Sequence, residues 1–337
     1  MLNILARPAF RSPNGESSSY LIAEILNSDE NINVFDWNTL MDLTKKPDII
    51  ILHWPDNILG YNFFKFYFAL SSLLLSLFFS KFFFKTKHVW FAHNIKSHHK
   101  VSKTREKIYW KLFLRAIDFI IYPLPTILEI HKENIFEGEK KVIPFGPYTK
   151  RSVNQEKLEN LKLEIDYDSQ FKYFLWFGLI RPYKNLEFLI DVFDKSNDNF
   201  KLLIVGQVSD EKYYKSLSKS KNVVFLARFI EDSEFPSFFN LSDACIFNYN
   251  NITNSGSIRM ALTYNKPVFC NYFRQLEDFN KILDTNLVQF YENSEDLSFH
   301  LSNFNNYKFI TPNWKNSSWN LFKNKFKENV INSLGLN

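Results

Sequence analysis

Two stretches place residues that bind anions at the junction between an apolar run and a helix. In FGLIRPYKNLEFLIDVF, residues 177–193, an apolar run ends at Gly178. Arg181 and Lys184 then stand three apart before a helical pattern with Leu186, Leu189, Ile190 and Phe193 on one face. A helix N-terminus carries unpaired N–H groups and partial positive charge, so two cations beside it suit a diphosphate. Either cation alone is unremarkable, and a plain surface loop is the alternative reading of the pair. In NITNSGSIRMALTYNKPVF, residues 251–269, Ser255, Gly256 and Ser257 occupy a helix start, with Arg259 one turn further in. There a hydroxyl caps the helix and a glycine lets a phosphate approach the backbone, although Ser-Gly-Ser by itself is an ordinary cap.

Histidines form a second group. DIIILHWPDN, residues 48–57, and HVWFAHNIKSHH, residues 88–99, each end a predicted strand in a His-bearing loop. An imidazole titrates near neutrality, so at a strand end it can orient or deprotonate a hydroxyl, or bond a sugar hydroxyl or phosphate. His93 is the first candidate for catalysis and His53 the second, followed by His98 and His99; a purely structural imidazole is the alternative for each. His98 and His99 are adjacent and cannot both point one way on a strand, so no metal-ligand pattern emerges. Asp166-Tyr167-Asp168 spells a metal-binding Asp-x-Asp, but it lies in a charged stretch away from any strand end and is set aside.

The elements that must hold these residues alternate between β-rich apolar runs and helical periods, the pattern of βα units feeding parallel sheets. At 337 residues the chain exceeds the usual size of one core. The reading is an N-terminal domain over 1–150, a C-terminal domain over 151–313 and a terminal amphipathic helix over 314–337 that packs back on the first domain. The helix carries Trp314, Trp319, Phe322, Phe326 and Val330. The boundary is placed in the polar, charge-dense stretch TKRSVNQEKLENLKLEIDYDSQ. Strands are expected at Leu2–Arg7, Asn33–Trp37, Asp48–Trp54, His88–His93, Asp118–Pro123 and Lys141–Phe145, and at Tyr173–Gly178, Leu202–Gly206, Val223–Ala227, Ala244–Asn248, Val268–Tyr272 and Leu287–Tyr291.

The charge of +5 is unevenly placed, with 19 Lys and Arg against 14 acids in residues 1–150 and 22 against 22 beyond. Residues 81–115 hold ten basic residues and the single acid Glu106. Such a patch meets phosphates, anionic lipid or nucleic acid, or is a solvated helix face. Phe is abundant, at 37 residues. The longest apolar stretch, Phe63 to Phe84, has only fifteen uncharged residues between Lys65 and Lys81. That is short of the roughly 20 needed to span a bilayer, so a buried or interfacial helix is expected. Cys245 and Cys270 sit in apolar strands with no disulfide or zinc spacing, which fits a reducing cytoplasm. The first ten residues lack the features of a signal peptide.

Taken together, the two anion motifs, their spacing and the Lys-Pro-Val that follows resemble the donor domain of GT-B glycosyltransferases, in particular the large retaining family numbered four. The resemblance covers residues 172–270 and 1–125. It implies an α/β fold of two Rossmann-like, doubly wound domains facing a central cleft. It also implies a metal-independent hexosyltransferase that moves a sugar from a nucleotide-diphosphate sugar to a glycan hydroxyl and needs no cofactor. Gly178, Arg181, Lys184, Gly206, Ser255, Gly256 and Ser257 would hold the donor. In the loop PAFRSPNGESSSY, Arg11, Asn14, Gly15 and Glu16, with His98 and His99, would face the acceptor, Glu16 also fitting as a helix N-terminal acid. The family's two Glu, eight positions apart, correspond to Ile252 and Met260. A bacterial surface-polysaccharide subgroup has Ser-Gly here instead and similar His-Trp-Pro and His-Asn loops.

The expected setting is therefore capsule, exopolysaccharide or O-antigen assembly on an acceptor linked to polyprenyl diphosphate. The enzyme would be cytoplasmic and peripheral on the inner face of the plasma membrane, touching anionic lipid through residues 63–115. A non-catalytic GT-B scaffold and a sugar-nucleotide 2-epimerase are the alternatives. Nucleic acid is not an expected partner, because no helix-turn-helix or zinc signal accompanies the basic patch.

Overall fold

Apolar runs bounded by polar turns form two six-stranded sheets in which every neighbouring pair of strands is parallel. The computed structural model describes residues 1–11, 17–95, 101–131, 136, 138–196, 199–333 and 335. It divides into one unit of Met1–Gly146 with Asn316–Asn337 and a second of Pro147–Lys315. The architecture is the two-domain α/β fold expected from the sequence.

The first unit runs β1 (Leu2–Arg7), α1 (Ser18–Asn27), β2 (Ile32–Asp36), β3 (Ile49–His53), α2 (Phe63–Phe84), β4 (Lys87–Phe91), α3 (Lys103–Ala116), β5 (Phe119–Tyr122), α4 (Pro125–Ile130) and β6 (Glu139–Val142). The sheet order is β2-β1-β3-β4-β5-β6. The chain winds one way from β1 and the other way from β3, so the loops after these strands part at a switch point, where such sheets leave a crevice. β3 reads Ile-Ile-Ile-Leu-His and is buried along its whole length, as a central parallel strand requires.

α2 coincides with the apolar run from Phe63 to Phe84. Pro55–Gly60 forms a 3-10 turn, and Asn62 then caps the helix by accepting from the Lys65 amide at 3.0 Å. At its far end His88 joins three elements. Its Nδ1 reaches the Ala116 carbonyl at 2.8 Å and its Nε2 meets the Ser80 hydroxyl at 2.9 Å. A carbonyl only accepts, so Nδ1 carries the proton. Burial lowers this imidazole to about 4, which keeps it neutral. Lys81 adds an ion pair to Asp118 at 2.7 Å.

The second unit runs α5 (Gln155–Glu164), β7 (Lys172–Phe177), α6 (Leu186–Lys195), β8 (Phe200–Val205), α7 (Glu211–Ser216), β9 (Val223–Leu226), α8 (Phe235–Leu241), β10 (Ala244–Phe247), α9 (Gly256–Thr263), β11 (Val268–Asn271), α10 (Glu277–Leu283), β12 (Val288–Tyr291) and α11 (Ser294–Ser302). Its order, β12-β11-β10-β7-β8-β9, puts the switch point between β7 and β10. α5 lies inside the polar stretch that the sequence suggested was a boundary. Its only buried side chains are Leu158 and Leu161, an apolar stripe too narrow to stand out among ten residues.

The chain then returns to the first unit through α12 (Trp319–Phe326) and a π turn over Lys327–Ile331. Phe322, Phe326, Val330 and Ile331 join the core built on Ile4, Ile22, Leu26 and Phe91. Lys327 pairs with Asp29 at 2.7 Å. Trp314 lies in a separate 3-10 turn ahead of this helix. Phe322 is fully buried against Phe91, Phe145 and Trp319. Phe322→Ala is therefore expected to destabilise the protein by about 3–5 kcal/mol, read as a lowered midpoint of chemical denaturation.

Candidate functional site

In the second unit the motif residues gather at the switch point. β7 ends at Gly178, whose φ of +137° suits only glycine, and β8 ends at Gly206 with φ of +142°. A Cβ on Gly206 would lie 2.0 Å from the Gly178 carbonyl oxygen, so Gly206 is glycine because two strand ends meet back to back. A Cβ on Gly178 would point elsewhere, to 3.9 Å from Ser257 Oγ and 4.0 Å from Lys184 Nζ. Gly178, Lys184 and Ser257 thus border one small space, which any side chain at 178 would begin to fill.

Lys184 is buried at 8% exposure, with its ammonium 4.6 Å from the ring centre of Tyr249 and 5.3 Å from that of Tyr183. Burial first, and the Arg181 charge second, lower it to about 7. Among the described residues no carboxylate pairs with it. Tyr249 is itself held in place: its amide donates to Asn271 at 2.9 Å, its carbonyl accepts from the Asn271 side chain at 2.7 Å, and its hydroxyl lies 3.0 Å from Ser255 Oγ. Arg181 is steadied by Nε donating to Ser209 at 2.9 Å.

Ser255 caps α9, accepting from the Ile258 amide at 3.1 Å. By helix geometry the amides of Gly256 and Ser257 have no carbonyl to bond within α9. Arg259, one turn in, is buried, and burial lowers its guanidinium from its ordinary value. The start of α6 differs from the expectation of open N–H groups, because the Leu186 amide is taken by the Tyr213 hydroxyl at 2.9 Å, which in turn donates to Glu187. Anion-binding capacity here therefore lies in Lys184, Arg181 and the α9 terminus. Ile252, at one of the two positions aligned with the family's Glu, is buried and apolar.

In the first unit the structure brings His53 and His93 together, with Nδ1 of His53 2.9 Å from Nε2 of His93. Both are buried, and burial depresses His53 to about 3. His53 Nε2 has no partner among the described residues. A buried orphan lone pair costs less than an orphan N–H, so the favoured tautomer has His53 Nδ1–H donating to His93 Nε2, which leaves His93 with its proton on Nδ1. Trp54, in the left-handed region at φ 47°, stacks on His93 at 4.3 Å, while His53 stacks on Phe91 at 5.0 Å. A non-glycine residue held there is strained, and such strain persists where the surroundings impose it. Asp56, two residues on, is buried and raised to about 6, by burial and by the Glu106 charge.

Arg11 is exposed, its amide 3.4 Å from the Asp36 carboxylate. Asn14, Gly15, Glu16, His98 and His99 lie outside the described residues. Among the described residues no three His, Cys, Asp or Glu side chains gather where a metal ion could be held.

Residues 159–298 match the family described as Glycosyl transferases group 1. HepE from Anabaena, solved in complex with UDP and glucose, is similar with a TM-score of 0.71 at 14% identity, over 98% of this chain and 100% of that one. A glycosyltransferase from Rickettsia africae gives 0.67 at 16%, over 99% and 98%. A putative UDP-N-acetylglucosamine 2-epimerase from Listeria monocytogenes gives 0.55 at 13%, over 97% and 96%. No curated protein matches the sequence. The fold is GT-B, and its second unit carries the group 1 glycosyl transferase match.

Within this GT-B chain, sequence reasoning found the cations and the cap but missed the residues that position them. Tyr249, Ser209 and Trp54 follow strand ends and Asn271 closes β11, which was their only signal. Because Lys184 titrates near 7 in the fold and near 10.5 unfolded, the unfolded chain binds more protons between those values, and stability rises with pH across that window. Lys184→Met is expected to stabilise the ligand-free protein at pH 6.5, by about 1–3 kcal/mol, with the gain shrinking toward pH 9. Paired thermal melts at both pH values check this.

Proposed function

We propose that the protein transfers a sugar from a nucleotide-diphosphate sugar to a hydroxyl of a glycan acceptor, carried on a polyprenyl diphosphate, in surface-polysaccharide assembly. The observation that carries this reading is the buried, unneutralised Lys184 beside Arg181 and the α9 terminus, in the unit that matches the group 1 family. A diphosphate supplies the counter-charge that this space lacks. UDP is the first nucleotide to test, since it is the one bound by HepE.

In the reaction the bond from the anomeric carbon to the β-phosphate oxygen breaks, its electron pair leaving with the diphosphate. The acceptor oxygen forms the new glycosidic bond, and its proton passes to the diphosphate. Negative charge grows on the leaving group, and Lys184, Arg181 and the amides at 256 and 257 stabilise it without a metal. We assign acceptor recognition to the first unit. The His53–His93 pair suits orienting a hydroxyl more than deprotonating it, because burial keeps His53 neutral and His93 Nε2 already accepts from His53 in the favoured tautomer. Ile252 and Met260, where the family carries acids, favour the second reading of a scaffold that binds donor without turnover.

Calorimetric titration with UDP, GDP, dTDP and CMP tests the donor site. One diphosphate is expected to bind in the micromolar range, and Arg181→Ala or Lys184→Ala to weaken it tenfold or more, about 1.4 kcal/mol. No binding to any of the four would overturn the reading; binding with no transfer to lipid-linked glycans would favour the scaffold. His93→Ala is expected to lower turnover at least tenfold while leaving nucleotide affinity within twofold, as steady-state kinetics beside calorimetry would show.

A further inference from the structure

α2 buries Phe66, Leu70, Leu73 and Leu77 along one face and turns an equally apolar face outward. Phe64, Phe68 and Phe82 are 85%, 77% and 70% exposed, and Leu75 and Phe78 continue the row between them. Outward aromatic rings stack along the axis, Phe78 on Phe82 at 6.0 Å and Phe79 on Phe83 at 5.8 Å. An exposed apolar strip of this kind marks an interaction surface. The helix is long and apolar enough to cross a membrane, but its inner face is built into the first unit between β3 and β4, which leaves only one side for lipid.

Charge decides the occupant. α3 packs beside α2 and carries Lys103, Lys107, Lys111 and Arg115 at four-residue intervals, all exposed, one continuous row on a helix. Ile108 and Leu112 lie exposed next to that row. Arg105 ties the start of α3 to the carbonyls of Leu59 and Tyr61 just ahead of α2, and lies over the Phe66 ring at 4.3 Å. A second copy meeting this face would set two cationic rows together, which disfavours self-association. An apolar strip flanked by Lys and Arg matches a bilayer surface bearing anionic headgroups.

We propose that the outward face of α2 lies in the plane of an anionic lipid leaflet, such as the cytoplasmic leaflet of a plasma membrane, with the cationic row of α3 on the headgroups. This stands on observations separate from the donor site, although it would bring the enzyme to a lipid-linked acceptor. The test is flotation with phosphatidylcholine vesicles and with mixed phosphatidylcholine and phosphatidylglycerol vesicles, at low and high salt. Wild type is expected to float with the mixed vesicles and to lose at least tenfold of its partition in high salt. Two variants are expected to lose at least as much, Phe64→Ser with Phe68→Ser and Phe82→Ser, and Lys103→Glu with Lys107→Glu and Lys111→Glu. Should the first precipitate, the second decides. Wild type remaining unbound to either vesicle, both variants floating as well as wild type, or a lipid-free dimer that the Phe variant dissociates would overturn the proposal. UDP titration of the charge-reversal variant separates a failure here from a failure of the donor site.

Discussion

The ammonium of Lys184 is held out of water against the face of Tyr249, with a second cation rather than a carboxylate as its charged neighbour. Burying a charge in this way is costly unless something of opposite sign arrives. Much of the second unit is arranged to keep that side chain where it is. The two strand ends at Gly178 and Gly206 meet so closely that Gly206 has no room for a Cβ, while Gly178 is held at a φ that suits only glycine, and the tight 3-10 turn over Pro182–Lys184 follows from there. Tyr249 is fixed by three hydrogen bonds, and Ser209 steadies Arg181 from the neighbouring loop. These contacts hold the costly buried ammonium in one position, which is how binding sites are commonly prepared.

The first unit solves a different problem at its own switch point. There two imidazoles share one hydrogen bond, pressed between Trp54, Phe91 and Phe145. Burial removes the tendency of His53 to take a proton, so that ring offers direction and shape rather than charge. Among the described residues, one unit thus places two cations at its parallel-sheet crevice, while the other sets a pair of buried imidazoles among aromatic rings at the end of β3 and β4.

Much of the fold was legible in advance because parallel strands buried on both faces write continuous apolar runs, and all twelve strands lie within two residues of their expected bounds at most ends. α5 escaped because a helix that buries only Leu158 and Leu161 leaves almost no periodic signal. For the site, the cations, the Ser255 cap and the histidines were visible from residue type and position after a strand. The Tyr249 platform, the Trp54 strain and the occupied amide of Leu186 were not, since each depends on a partner twenty or more residues away, or on backbone geometry that the side chain does not announce.

The sequence by itself determined the elements, the basic stripe and the chemistry on offer, because periodicity, capping and charge are local properties. Tertiary structure decided which of those groups meet. It placed Lys184 out of water against Tyr249, brought His53 to His93, and turned one face of a mostly apolar helix inward and another outward. The physical reason is that desolvation, hydrogen-bond partnership and exposure belong to the space around a side chain, and that space is assembled from segments far apart in the chain.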